Sequence, residues 1–422
     1  MKSLMAALLA APLCALPAQA QSSPPSVGGD IMTLDEALAG AGVATPLTQA
    51  AEAGVWAAEA GRSVAGLRPN PSVSVDTENA LGTGPYRGFD ESDTTVAFAM
   101  PVELGGKRSA RVAVADAKLR RAWIDLAVAE ADRRVAVTMA YGVAIASERR
   151  ARIAEAQVAV TTENLRIARD RVMVGANSPI DEQRATLEQV KATAEAETAR
   201  RTAAATRAAL AQYVGGDAGS ALDQRWFDRA AGASGQGPAT PADARGTLAF
   251  AVASADAASA EAALRLARSQ RAPDLTLTAG TRRLEASNDQ AMVFGVSVPL
   301  PLFNGGKAAV TQAARERDRA DAQSRIALFE AERAIAAAEA DRDRAATAVR
   351  ASGPALAAAT EAARIARVGY AEGKFDQLIL LDAERTLLDT SRAGIDARAA
   401  YHDAVARLER LTAPLPAEGE IK

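Results

Sequence analysis

Two periodicities share this chain. Short runs alternate apolar with small or polar residues. Val73, Val75 and Thr77 alternate with Ser72, Ser74 and Asp76, and Val96, Phe98 and Met100 with Thr95, Ala97 and Ala99. The pattern returns at Leu275 and Leu277, and again at Met292, Phe294, Val296 and Val298. A period of two with one apolar face marks half-buried β-strands. The runs between turn signals are about 9–11 residues, the length of a membrane-spanning strand. An ordinary hairpin capping a helical domain would show the same alternation.

The second periodicity is helical. From about Gly106 to Val174 there is no proline and one internal glycine, Gly142. Nearly 70 residues at 1.5 Å each make a rod of roughly 100 Å. Val112, Leu119 and Leu126 lie seven apart among many alanines, which predicts a left-handed coiled coil. Gly175, Asn177 and Pro179 turn the chain, and a helix of about 35 residues is expected to return to Val214. Lys307–Val368, Gly369–Gly373 and Phe375–Leu411 repeat the rod, the turn and the return. Each unit should open with a helix. The first starts at the capping box Thr33-x-x-Glu36 and is stopped by Pro69 and Pro71, and the second runs from about Thr240 to Arg271 before Pro273.

The order of elements is therefore written twice, and the local sequences agree. "PVELGGK" (Pro101–Lys107) returns as "PLFNGGK" (Pro301–Lys307), an offset of 200. Arg171–Asp181 matches Gly369–Leu378, and Arg184–Val190 matches Glu384–Thr390. A small-repeat solenoid would have a period of roughly 20–50 residues, so two tandem copies of one large unit is the economical reading. The predicted organisation is a leader at 1–20, repeats at 31–214 and 242–412, a glycine-rich linker at 215–241 and a tail at 413–422. The two shorter helices of each unit together match the long one in length. The linker should therefore lie at mid-rod, where they meet. At the junctions, Pro101 and Pro301 would end a strand without leaving a buried N–H unpaired. Gly105-Gly106 and Gly305-Gly306 would allow the bend into the helix.

Composition narrows the setting. Lys2, the apolar run Leu4–Leu16 and Ala18-Gln19-Ala20 form a secretory signal. Cys14 follows Leu13, whereas lipid attachment needs a small residue there, so acylation is not expected. The mature chain would then have no cysteine, and neither disulfides nor thiolate metal sites. The formal charge of −3 becomes −4 without Lys2 and argues against nucleic-acid binding. Aromatic residues make up only 4%, which suits long helices packed through alanine. No nucleophile–base set, phosphate loop or metal motif is present, so neither an enzyme nor a cofactor is expected. His402, the only histidine, sits in the polar run "AAYHDAVAR" and reads as a surface residue. The charged runs "SERRARIAEA" and "DRDRAATAVR" read as solvated or inter-helix ion pairs.

Four strands cannot close a barrel, and open edges in lipid are prohibitively costly. Either the sheet lies in water or several chains pool strands, and three copies would give twelve strands and twelve helical columns. "RPNPSVSVDTEN" (Arg68–Asn79) followed by "PVELGGKRSAR" (Pro101–Arg111) resembles the outer-membrane factor (TolC-like) family of trimeric channel-tunnels. The likeness is to the outer-membrane subunit of cobalt–zinc–cadmium and related heavy-metal RND efflux systems. It covers the mature chain end to end, and departs from many relatives in lacking the lipid-attachment cysteine.

The resemblance implies a mainly α fold with a small β part. A homotrimer would form a 12-stranded outer-membrane β-barrel on a periplasmic α-helical barrel. Its partners would be outer-membrane lipid, a periplasmic adaptor and an inner-membrane RND pump. It places adaptor docking at the turns, at Gly175, Asn177, Pro179, Gly373 and Lys374. It also implies an acidic ring at the closed aperture. Asp382 matches one ring position, Ile379 occupies the other, and Asp376 or Asp181 are the candidates to compensate. Solvated helix-surface carboxylates are the plainer reading of all three. Metal selectivity would reside in the pump. A drug-efflux or protein-secretion channel, or a soluble periplasmic coiled-coil scaffold, are the alternatives.

Overall fold

The computed structural model describes residues 31–44, 46–215, 221–232 and 243–415. The expected leader at 1–20, parts of the linker and the end of the tail lie outside the described residues.

The rods form where the helical pattern places them. α3 (Lys107–Met173, 67 residues) and α7 (Lys307–Ala371, 65 residues) are the long helices. α4 (Pro179–Val214, 36 residues) and α8 (Gln377–Leu411, 35 residues) return along them. α7 is continuous through Pro354, a residue that removes one backbone donor from its interior.

The opening helices differ from the expectation. The first is two elements, α1 (Leu34–Ala44) and α2 (Pro46–Ala65). Pro46 stands at the first position of α2, where its missing N–H is harmless. In a continuous helix its ring would clash with the preceding turn. The capping box does form: Thr33 N donates to Glu36 Oε2 at 2.8 Å, and Glu36 N donates to Thr33 Oγ1 at 3.2 Å. The second opening helix, α6 (Leu248–Ser269), is shorter than expected. A 3-10 turn at Ala244–Gly246 precedes it, and Thr247 caps it by accepting from Phe250 N at 3.3 Å.

α2 and α6 pack on the strand-proximal half of α3, and α4 packs on the other half. α1 meets the end of α4, where a Cβ on Gly40 would lie 2.8 Å from Val214 Cγ1. The short helices thus stack end to end along the long one. A core cluster fills that level: Val137, Tyr141 and Ile145 of α3 with Leu210, Leu222 and Phe227. The linker supplies two of these residues, through β4 (Ala221–Leu222) and α5 (Gln224–Asp228). β4 pairs in parallel with β1 (Ile31–Met32). This small sheet had no signal in the alternation, because strands of two residues have no period.

The four longer strands form one antiparallel sheet in the order β2-β3-β5-β6. They are β2 (Ser72–Glu78), β3 (Asp93–Val102), β5 (Leu275–Leu284) and β6 (Asp289–Ser297). The two hairpins join through β3 and β5, from Asp93↔Leu284 to Val102↔Leu275. Leu284 pairs with Asp289, so the loop of the second hairpin is residues 285–288. Asn288 takes a left-handed φ of 56° there, and Arg283 donates to Glu285 and Asn288 across the turn.

Candidate functional site

The register gathers the apolar positions on one face. Val73, Phe98, Ala279 and Phe294 lie in one row across the sheet, and Val75, Val96, Thr281 and Met292 in the next. Phe294 is 75% exposed and Val73 68% exposed in the single chain. Large apolar side chains in a contiguous exposed patch mark a surface that meets another molecule or lipid. The opposite face carries small and polar residues, with Glu78 and Arg282 paired at 3.0 Å across two strands. β2 and β6 are both edges with unpaired backbone. Among the described residues no helix is long and apolar enough to cross a membrane.

The two strand-to-helix junctions differ in detail. Pro101 lies inside β3 rather than ending it, opposite Thr276 and beyond the last β2–β3 pair, Ser72↔Ala99. Its missing N–H is tolerated because no β2 residue stands opposite it. Pro301 lies four residues past the end of β6, in a tight turn where Leu302 N donates to Leu300 O at 2.9 Å. Gly105 and Gly106 both adopt left-handed φ, 73° and 71°, whereas in the second junction only Gly306 does, at 73°. Asn304 Oδ1 accepts from Gly306 N at 3.1 Å and helps make that turn. The paired glycines are thus both required only at the first junction. There, a Cβ on Gly105 would stand 2.5 Å from Ala272 Cβ. Glu103 and Arg111 pair alongside, and Lys107 meets Asp274 at 2.7 Å.

At the far end, the turns between α3 and α4 and between α7 and α8 close in the same way. Gly175 and Gly373 adopt φ of 74° and 75°. Ala176 N donates to Arg171 O, and Lys374 N to Gly369 O. The structure brings the two turns together. Arg171 Nη1 donates to Tyr370 O at 2.6 Å, its guanidinium lies 4.8 Å from the Tyr370 ring centre, and Gln377 Nε2 donates to the Asp181 carbonyl at 2.9 Å. Burial pushes the Tyr370 hydroxyl up, against the nearby Arg171 charge. Further along, Asn164 Nδ2 donates to the buried Glu384 at 2.7 Å, and Arg367 meets the same carboxylate at 3.1 Å. This buried polar link between the two repeats was missed. Its residues lie 220 apart in sequence.

The three acidic candidates are not alike. Asp376 caps α8, accepting from Ile379 N at 3.0 Å. Asp181 is partly buried and accepts from Asn177 Nδ2 at 2.9 Å. Asp382 is exposed and makes no hydrogen bond or ion pair among the described residues. Pro179 opens α4 at its first turn, and Lys374 pairs with Glu372 at 2.6 Å on the exposed tip.

At mid-rod the reading of His402 is corrected. Its ring stacks on Trp226, and its Nε2 donates to Phe227 O at 3.1 Å. The linker folds over α8 there, so the polar run flanking His402 does not reach solvent on every side. Tyr141 donates to Met32 O at 2.7 Å and accepts from Asp223 N at 2.9 Å, and burial pushes its hydroxyl up to about 12. Arg149 holds Asp228 at 2.6 Å and lowers its pKa. The one sequence signal for this belt was the pair Trp226-Phe227 in a glycine-rich linker of an aromatic-poor chain. The charged runs behave as read. Arg150 reaches Asp396 at 2.5 Å between helices, while Arg344 pairs with Asp341 on the exposed surface of α7. No cluster of three or more His, Cys, Asp or Glu suited to a metal occurs among the described residues.

An amphipathic four-stranded sheet on a two-repeat helical rod is the protomer architecture of an outer-membrane channel-tunnel. The chain matches the family described as outer membrane efflux protein over residues 41–216 and 246–413, and it belongs to that family. It is therefore a conduit and not an enzyme. It is 29% identical over 368 residues to the cobalt-zinc-cadmium resistance protein CzcC of Cupriavidus metallidurans, covering 84% of each chain. It is 29% identical over 281 residues to the nickel-cobalt-cadmium resistance protein NccC of Alcaligenes xylosoxydans xylosoxydans, covering 66% of this chain and 63% of that one. The outer membrane protein VceC of Vibrio cholerae has the same fold, with a TM-score of 0.73 at 20% identity over 90% of this chain and 96% of that one.

Proposed function

We propose that three copies of this chain form the outer-membrane conduit of a tripartite efflux system for divalent transition-metal cations. The observation that carries the reading is the sheet. It has one exposed apolar face and two open edges, and it sits at one end of a helical body roughly 100 Å long. Unpaired backbone is not tolerated in lipid, so copies must pool strands, and three give a closed barrel of twelve. Repeats 31–214 and 242–412 supply one hairpin each to that barrel, and residues 221–232 of the linker at 215–241 lie against the rod at mid-height.

The helical barrel extends into the periplasm of a Gram-negative cell. Its tips, at Gly175, Asn177, Pro179, Gly373 and Lys374, dock a periplasmic adaptor that joins the tube to an inner-membrane RND pump. Asp382 lines the aperture, where three-fold symmetry makes it a ring of three charges that favours cations. Asp376 and Asp181 hold the turn geometry that positions it. The likeness to CzcC and NccC supports metal cations as cargo.

Growth of a deletion strain across zinc, cadmium, cobalt and nickel tests the cargo. Sensitisation to these metals is expected, with no stoichiometric metal on the purified channel. Sensitivity to dyes and detergents with normal metal tolerance would instead make this a drug-efflux channel.

A further inference from the structure

The two junctions have the same sequence plan but unequal surroundings. The first is covered. Gly105 packs on Ala272, Leu104 N donates to Asp274 Oδ1 at 3.2 Å, and Lys107 pairs with Asp274. It closes over the link that carries α6 into β5. The second touches Arg271 of that link, whose Nε donates to Gly305 O at 3.3 Å, but leaves its apolar side chains uncovered: Leu300 is 74%, Leu302 80% and Phe303 102% exposed. These side chains follow β6 and belong to no strand.

The repeat says what the second junction lacks. Its equivalent cover is the link that carries α2 into β2, at residues 67–71. The end of α2 and this link also expose large apolar side chains, with Val64 66% and Leu67 64% accessible. Within one chain the two cannot meet, because β3 and β5 lie between β2 and β6. Yet β2 starts, and β6 ends, at the same end of the sheet. If β6 of one copy pairs antiparallel with β2 of the next, the bare junction and the bare link stand as β3 and β5 place the covered pair.

We propose that the hook Leu300–Phe303 of one copy packs on the Val64–Leu67 shoulder of the neighbouring copy. This sets an apolar contact between chains at the level of the sheet where the first junction packs within one. The occupant of this surface is a second copy of the chain. The proposal rests on the closed-barrel reading and adds to it a specific apolar lock at the foot of each inter-copy seam. Burying such side chains against each other at the centre of an interface gives them a large share of the association energy.

The chain's single cysteine, Cys14, lies in the expected leader, so introduced thiols report without background. The test combines Leu302→Cys with Leu67→Cys in the full chain, purified in detergent and treated with a short bis-maleimide. Covalent dimers and trimers are expected from the double variant and not from either single one. Phe303→Asp is expected to weaken association by about tenfold or more, while Phe303→Leu retains it. A trimer by mass that neither cross-links nor weakens with Phe303→Asp overturns the lock and leaves the barrel intact. A monomer by mass overturns both. Quenching of a fluorophore at Leu302→Cys by brominated lipid, without cross-linking, assigns the hook to lipid and also overturns the lock.

Discussion

Trp226 and His402 stack with ring centroids 3.9 Å apart and planes 23° from parallel. The contact ties the inter-repeat linker to α8, and Tyr141 closes it from α3 with its ring 5.3 Å from Trp226. A mid-rod belt is thereby fastened to helices of both repeats.

That belt should be acid-sensitive. Burial lowers the His402 pKa, the Arg229 charge adds to the effect, and the hydrogen bond to Phe227 O opposes it. An unfolded histidine titrates near ~6.5, so below that pH the unfolded chain binds the proton more readily than the folded one. The stability is fully present above this value and is lost as pH falls through it toward the lower folded pKa. Thermal melts and Trp fluorescence between pH 8 and pH 5 should show the loss, and His402→Phe, which keeps an aromatic ring in the stack, should flatten it. An equal acid response in the variant would assign the effect elsewhere.

The buried link near the tips should be asymmetric to substitution. Glu384→Ala leaves the Asn164 amide without its acceptor, a loss of about 1–3 kcal/mol. Glu384→Gln keeps an acceptor and loses mainly the charge opposite Arg367, whose side chain is 40% exposed, so solvent screening makes the cost smaller. Melting temperatures in the order wild type, Gln, Ala are expected. Gln as damaging as Ala would contradict the assignment.

Glycines of equal φ should differ in tolerance. Gly175→Ala pays only for a left-handed backbone, about 1–2 kcal/mol, since nothing lies within 4 Å of its Cβ site. Gly105→Ala adds a clash with Ala272 and Ser269 O. The yield of folded protein should fall further for Gly105→Ala, and equal yields would contradict the close packing at the first junction.

Much of this architecture was legible because its signals are periodic. The alternation in Val73–Thr77 and the proline-free stretch of α3 each fix an element without reference to the rest of the chain. The repeat supplied the second set. What failed was non-periodic. Pro46 at the start of a helix and Thr247 as a cap divide or shorten helices through single residues. The exposure of His402 depended on a linker that folds back 175 residues away in sequence. Of the acidic candidates, the resemblance set Asp382 ahead of Asp376, but that Asp376 is engaged by Ile379 N was not legible, because only the turn geometry creates that hydrogen bond.

Asp382 carries the aperture proposal. Asp382→Ala is expected to raise single-channel conductance in planar bilayers and to weaken block by multivalent cations, since the substitution removes three charges from one ring. Unchanged conductance and block would leave Asp382 a solvated surface residue.

The most direct measurement is the mass of the purified protein in detergent together with its conductance after reconstitution. The open edges of β2 and β6 call for pooled strands, and the proposed trimer predicts the mass of three copies and a steady, ion-conducting pore. A monomer, or a protein that stays in solution without detergent and conducts nothing, would contradict the account.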